Sequence, residues 1–417
     1  MDAPPGGARE VAVNGRSYRF PSVPTIVICL DGSEPGYIEA AIARGLAPNF
    51  ARLMRTGVSL TAFSAIPSFT NPNNLSIVTG APPAVHGIAG NYFLDPASGQ
   101  EVMMNDPRFL RAPTIPAAFH QAGARVAMVT AKDKLRALLG AGLAMETGRA
   151  IAFSAERADV ATVAENGIGN VLDFVGLPLP DVYSPALSEF VFAAGVRLVE
   201  RFRPDLMYLS TTDYVQHKAA PDSDLANRFY AMVDRYVGEL DALGVVLALT
   251  ADHGMNDKYR PDGAPDVLYL QSWCDARLGA GIARVILPIT DPYVKHHGAL
   301  GSFATIYLPP GMDAGPLIAA LAATEGVSLA LSRVDSCQRF ALPPDRIGDI
   351  VVISGKHKVL GTSPERHDLS ALDAPLRSHG GLEEQHVPMI INRSVKVSEG
   401  RVLRNFDAFD AALNLVA

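Results

Sequence analysis

Apolar runs and amphipathic stretches alternate along most of this chain. Residues 25–30, 125–130, 205–210 and 245–250 are continuous β-rich runs, the pattern of parallel strands covered on both faces. Residues 37–44, 48–56, 113–122, 186–202 and 222–243 carry helical periodicity between them. Strand and helix in turn predict an α/β core around a mostly parallel sheet. Before it, residues 11–13 and 18–20 flank Asn14-Gly15 and read as a β-hairpin. The rhythm changes from Asn256 to Arg346. That stretch holds the only tryptophan, Trp273, short strand candidates at 283–288 and 303–308, and a helix candidate at 314–325. It reads as an inserted α+β cap. The core is expected to resume with a strand at 349–353, a last strand at 387–392 and a closing helix at 406–416. The expected division is an N-terminal hairpin extension (1–22), a core (23–255 and 347–417) and a cap (256–346).

Composition narrows the function classes. Of 417 residues 48% are hydrophobic, enough for a large buried core. A net charge of −7 with no basic run argues against nucleic acid as a partner. Cys29, Cys274 and Cys337 are odd in number and widely spaced, which fits reduced thiols better than a disulfide framework. No run approaches the ~20 apolar residues of a membrane span, and the first residues lack a basic and then apolar leader. A cytoplasmic protein with no membrane partner is the expectation. Whether it forms a homodimer stays open.

The chemistry sits where the strands end. Asp31 follows the first long strand, Asp213 the third and Asp252-His253-Gly254 the fourth, the places where open α/β sheets bind ligands. His217 stands four residues after Asp213, on the same face of a helical turn. His379 lies in Arg377-Ser378-His379-Gly380-Gly381. Thr70 opens the run Thr70-Asn71-Pro72-Asn73-Asn74 before an apolar helix start, at an N-terminus whose unpaired N–H groups favour anions. Taken alone, that run is most often only a helix cap. Together, Asp31, Thr70, Asp213, His217, Asp252, His253 and His379 form an oxygen-and-imidazole set that suits zinc, with iron or manganese as substitutes. The set is too large for one tetrahedral ion and matches two.

In this order the residues resemble the alkaline phosphatase superfamily, in particular the threonine-nucleophile subgroup of nucleotide pyrophosphatases/phosphodiesterases and phosphonoacetate hydrolases. Ser76-Ile77-Val78-Thr79-Gly80, His86-Gly87-Ile88 and Asn91 match that subgroup's stretch after the nucleophile. The resemblance implies a three-layer α/β core with a mostly parallel sheet and two zinc ions. Asp31, Thr70, Asp252 and His253 would hold one ion, and Asp213, His217 and His379 the other. Thr70 would attack phosphorus while its own N–H and Asn91 hold a phosphonate oxygen. A phosphothreonine would then be hydrolysed.

Two features resemble the phosphonoacetate hydrolases. Asn71-Pro72-Asn73-Asn74 replaces the aromatic-Pro-Asn-His run usual in the phosphodiesterases, and Lys132 and Lys134 resemble a lysine pair that holds a substrate carboxylate. The residues 291–298 are also similar to a stretch of that family. The implied activity is cleavage of the C–P bond of phosphonoacetate, a small-molecule phosphonate, to acetate and phosphate. The alternative is a nucleotide pyrophosphatase or phosphodiesterase on the same metal core. A mutase that returns the phosphoryl group and a non-catalytic metal-binding protein fit the threonine context less well. His296 and His297 read as lid or surface residues. The roles of Arg377 and His386 are left open.

Overall fold

The computed structural model describes residues 9–291, 298–370, 372, 374–398 and 400–416. Its centre is a seven-stranded sheet. In chain order the strands are β1 (Thr25–Cys29), β2 (Val58–Phe63), β3 (Val126–Thr130), β4 (Ala150–Ser154), β5 (Leu206–Ser210), β6 (Val246–Thr250) and β7 (His386–Ile391). Across the sheet they run β2-β7-β6-β1-β5-β3-β4. β6, β1, β5, β3 and β4 are mutually parallel, and β7 alone runs against its neighbours β6 and β2.

The continuous apolar runs have the predicted cause. Every residue of β1, β3, β4, β5 and β6 is buried, and successive side chains serve opposite faces. Val27, Cys29, Met128 and Tyr208 join the core on one side; Ile26, Ile28, Val129, Met207 and Leu209 join the core on the other. The first side is covered by α1 (Thr70–Thr79), through Leu75, Ile77 and Val78. α2 (Asp133–Leu139) adds Leu138 and Leu139 to that side. The second is covered by α3 (Ala186–Arg201) and α5 (Asp224–Ala242), which bring Phe190, Leu198, Tyr230 and Val237. Between these two helices lies the single turn α4 (Tyr214–Lys218). The result is a helix–sheet–helix sandwich.

A second, antiparallel sheet orders Arg284–Ile286, Phe303–Tyr307, Ile350–Ser354 and Val327–Ser332 side by side. Here the structure corrects one expectation. The apolar run at 349–353 predicts a strand where the core resumes, whereas Ile350–Ser354 is an inner strand of this smaller sheet. A fully buried strand reads the same in either sheet. The closing segment also differs: residues 405–415 wind as a 3₁₀ turn, a short α turn and a wider π turn instead of one regular helix. The N-terminal hairpin is present as Glu10–Val13 paired with Arg16–Arg19, with Asn14 and Gly15 both at positive φ. Among the described residues no helix is long and apolar enough to cross a membrane.

Candidate active site

Sheet order places the site. β6, β1, β5 and β3 are neighbours and parallel, so their carboxyl ends deliver Asp252-His253, Asp31, Asp213 and the Lys132–Lys134 segment in a row along one edge. The lysines therefore lie on one flank and Asp252-His253 on the other. Two further residues come from outside the sheet. Thr70 is the first residue of α1, where the opening N–H groups have no partner within the helix. His379 follows Arg377–Ser378, which pairs antiparallel with Asn256–Asp257 just beyond His253.

The imidazoles are fixed in one orientation. His217 Nδ1–H donates to the Arg377 carbonyl at 2.8 Å, His253 Nδ1–H to the Gly254 carbonyl at 2.9 Å and His379 Nδ1–H to the Ser68 carbonyl at 2.8 Å. A carbonyl only accepts, so Nδ1 carries a proton in each ring, and in that tautomer the Nε2 lone pair faces inward. Those lone pairs meet carboxylates. His217 Nε2 is 2.8 Å and His379 Nε2 3.7 Å from Asp213 Oδ2, and His253 Nε2 is 3.4 Å from Asp31 Oδ1 and 3.7 Å from Asp252 Oδ2. Thr70 Oγ1 lies 3.5 Å from His253 Nε2. The His253 and His379 rings stack with centroids 3.6 Å apart.

Acceptors facing acceptors in a buried space call for a shared cation. Burial, then the charges of Asp213 and Asp252, raise the Asp31 carboxyl well above its ordinary range, and burial raises Asp252. Burial, followed by the neighbouring His253 and His217, holds His379 well below the usual imidazole value. Asp31 Oδ1 is buried and accepts no hydrogen bond. Among the described residues, two groups have donor atoms close enough to hold an ion: Asp213, His217 and His379, and Asp31, Asp213 and His253. The donors fit divalent cations of the zinc type. Asp213 belongs to both groups. Asp252 stands slightly apart, its Oδ1 taking the N–H groups of Gly32 and His253 and its Oδ2 the Asn74 amide.

A small cavity opens onto this array. Asp31, Thr70, Asn91, Lys132, Lys134, Asp213 and His379 line it, whereas His217, Asp252 and His253 are not among its lining residues. Asn91 Oδ1 accepts the Asn71 N–H at 3.0 Å, which leaves its Nδ2 as the remaining donor. Lys132 and Lys134 also line a second cavity farther out, with Glu156 and Arg157. Burial and the nearby Lys132 pull the Lys134 ammonium down to about 7. Ion-pair contact with Asp291 acts in the opposite direction.

Several contributors escaped sequence reasoning. Asp291 opens the stretch 291–298 that resembles the family, but its role went unread; it is buried and lines the cavity. Asn74 donates to Asp252 Oδ2 at 3.2 Å and accepts from Tyr208 and Ser210, so it aims that carboxylate. Asn73 is tied to the carbonyls of Ala65, Pro67 and Phe69 and pins the loop before Thr70. Gly380, at φ +119°, leaves room for the Phe69 ring beside His379; a Cβ there would come within 2.3 Å of that ring. Arg377 and His386 lie outside the cavity. Arg377 is buried behind His217, and His386 rests on Phe63. His296 and His297 lie outside the described residues.

An alkaline-phosphatase-like sheet that gathers acidic and imidazole donors beside a helix-terminal hydroxyl defines a hydrolase of that fold. The alkaline phosphatase PafA shares the architecture, with a TM-score of 0.69 at 16% identity over 95% of this chain and 96% of its own. The chain belongs to the type I phosphodiesterase / nucleotide pyrophosphatase family, whose model matches residues 25–381, and within it to the phosphonoacetate hydrolase group. The phosphonoacetate hydrolase of Sinorhizobium meliloti 1021, solved in complex with phosphonoformate, is 61% identical with a TM-score of 0.96. That match covers 99% of this chain and 100% of the other. A pyrophosphatase/phosphodiesterase of Schizosaccharomyces pombe is 28% identical over 253 residues, which are 55% of this chain. The chain spans only 44% of that relative's length.

Proposed function

We propose that this protein hydrolyses the carbon–phosphorus bond of phosphonoacetate to acetate and phosphate through a phosphothreonine at Thr70. The observation that carries the reading is one cavity with a hydroxyl at a helix N-terminus, cation-holding donors on one flank and two lysines on the other. Two zinc ions held by Asp31, Thr70, Asp252 and His253 and by Asp213, His217 and His379, with Asp213 able to serve both, would lower the pKa of the Thr70 hydroxyl and of a water and offset charge on the phosphonate oxygens.

Thr70 Oγ1 attacks phosphorus as the C–P bond breaks, and the bond's electron pair passes to the methylene carbon. The α1 N-terminus and the Asn91 amide hold a phosphonate oxygen where charge gathers. An alkyl carbanion is too poor a leaving group, so the adjacent carboxylate must take the charge as an enolate. Lys132 and Lys134 stabilise that developing dianion. Protonation of the carbon gives acetate, and water attack on phosphothreonine gives phosphate and restores the hydroxyl.

The phosphodiesterase alternative has less support. No Phe, Tyr or Trp is among the described residues lining the cavity, so none of those residues offers a ring on which a nucleobase could stack. Asn71, where the phosphodiesterases carry an aromatic, is buried and donates to the Met104 carbonyl. The direct test is rapid acid quenching during phosphonoacetate turnover, followed by peptide mass analysis. The reading predicts one added phosphoryl group on the Thr70 peptide, absent in Thr70→Ala. Turnover with no phosphorylated peptide at any quench time would refute the covalent step.

A further inference from the structure

Away from the cavity lies a charge pair that the mechanism does not use. Lys258 and Glu384 have no exposed side-chain surface and meet at 2.9 Å. A buried ion pair is costly to desolvate and weak as a source of stability, so one kept at this depth calls for another reason. Its hydrogen bonds supply one. Glu384 Oε2 accepts the N–H of Gly381, two residues after His379, at 2.9 Å. Glu384 Oε1 accepts the Asn256 amide, three residues after His253, at 2.7 Å, along with the Lys258 ammonium. The Glu384 carbonyl also takes the Gly254 N–H at 2.7 Å. Lys258 Nζ donates a second bond to the Lys356 carbonyl at 2.6 Å, so both charges are satisfied.

We infer that Glu384, held by Lys258, is a positioning residue that fixes the spacing of the two cation-holding groups. The inference rests on the metal reading above. His253 belongs to one group and His379 to the other, and their rings stack at 3.6 Å. The loops that carry them come from distant parts of the chain. The Glu384 side chain bonds to both, beside the short ladder that pairs Asn256–Asp257 with Arg377–Ser378, and its two oxygens act as one rigid link. Loosening either oxygen lets one loop move relative to the other. Asp213 serves both groups, so one ion would keep its ligands while the other loses its full set.

The inference makes the two ions respond differently. Outer partners of metal ligands typically contribute about 10–100-fold to metal affinity. Glu384→Gln keeps the shape, loses the charge and retains one acceptor. Lys258→Met/Glu384→Gln removes both charges together and avoids an unpaired buried ammonium, so it decides the matter if the single variant does not fold. Neither residue is a proposed ligand or touches the cavity.

The experiment titrates metal-free protein with zinc against a chromophoric chelator, with bound zinc counted by elemental analysis and folding followed by circular dichroism. The expected result is two zinc ions in the wild type. In the folded variants, one ion should bind with near wild-type affinity and the other about 10-fold or more weakly. Two ions bound as tightly as in the wild type, whatever the change in Tm, would overturn the inference. Equal weakening of both ions would overturn it too, since that is what general loosening of the fold produces. A wild type that binds fewer than two zinc ions would instead refute the two-metal reading of the site.

Discussion

Replacing Lys134 by alanine should separate carbon–phosphorus cleavage from ordinary phosphate-ester hydrolysis. A charge-assisted hydrogen bond of this kind contributes about 1.5–3 kcal/mol, or roughly 10–150-fold in kcat/KM at 1.36 kcal/mol per decade. The loss should fall mostly on kcat, because the carboxylate gains charge only as the C–P bond breaks. p-Nitrophenyl phosphate carries its own leaving group and has no carboxylate to seat. Its kcat/KM should change by less than about 3-fold, the counterpart of ~0.6 kcal/mol. Removing the ammonium also deprives the buried Asp291 carboxylate of its Lys134 partner, close to where an anion must bind. Lys134→Ala/Asp291→Asn should therefore recover part of the loss, which a double-mutant cycle on phosphate release reads directly. Equal losses on phosphonoacetate and p-nitrophenyl phosphate would refute the reasoning, because the lysine would then serve the phosphoryl group or the fold.

The same geometry sets other outcomes. Because Asn74 aims Asp252, Asn74→Ala should weaken zinc binding by about 10–100-fold, seen by chelator competition, with the far-ultraviolet spectrum unchanged. Lys134, pulled to about 7, loses charge as pH rises through that value, so kcat for phosphonoacetate should fall from pH 7 to 9 while kcat for p-nitrophenyl phosphate lacks that limb. Asp291 favours the charged amine, so Asp291→Asn should move that fall in kcat to lower pH. Stripping metal with a chelator should abolish release from both substrates and zinc should restore both; recovery of only one would break the common-site reading.

Much of this site was legible in the chain because parallel sheets leave a strong signal. Buried strands are continuous apolar runs, and a polar residue that ends such a run lands at the ligand-binding edge. Asp31, Asp213 and Asp252 are candidates on that ground, and Thr70 joins them only in their company, since its run alone reads as a helix cap. The remainder depends on contacts between distant segments. Asp291 meets Lys134 across 157 positions and Asn74 meets Asp252 across 178, separations that no local pattern encodes. Ile350–Ser354 was misplaced for a related reason, since burial on both faces does not say which sheet supplies the neighbours.

The central claim is that the carboxylate beside the carbon makes C–P cleavage feasible in this site. It is tested most directly with zinc-reloaded protein and a Thr70→Ala control. Phosphate release is followed side by side from phosphonoacetate, methylphosphonate, p-nitrophenyl phosphate and bis-p-nitrophenyl phosphate. The account predicts strong release from phosphonoacetate, none from methylphosphonate and none from the variant. Preference for the diester, or equal release from the two phosphonates, would contradict it.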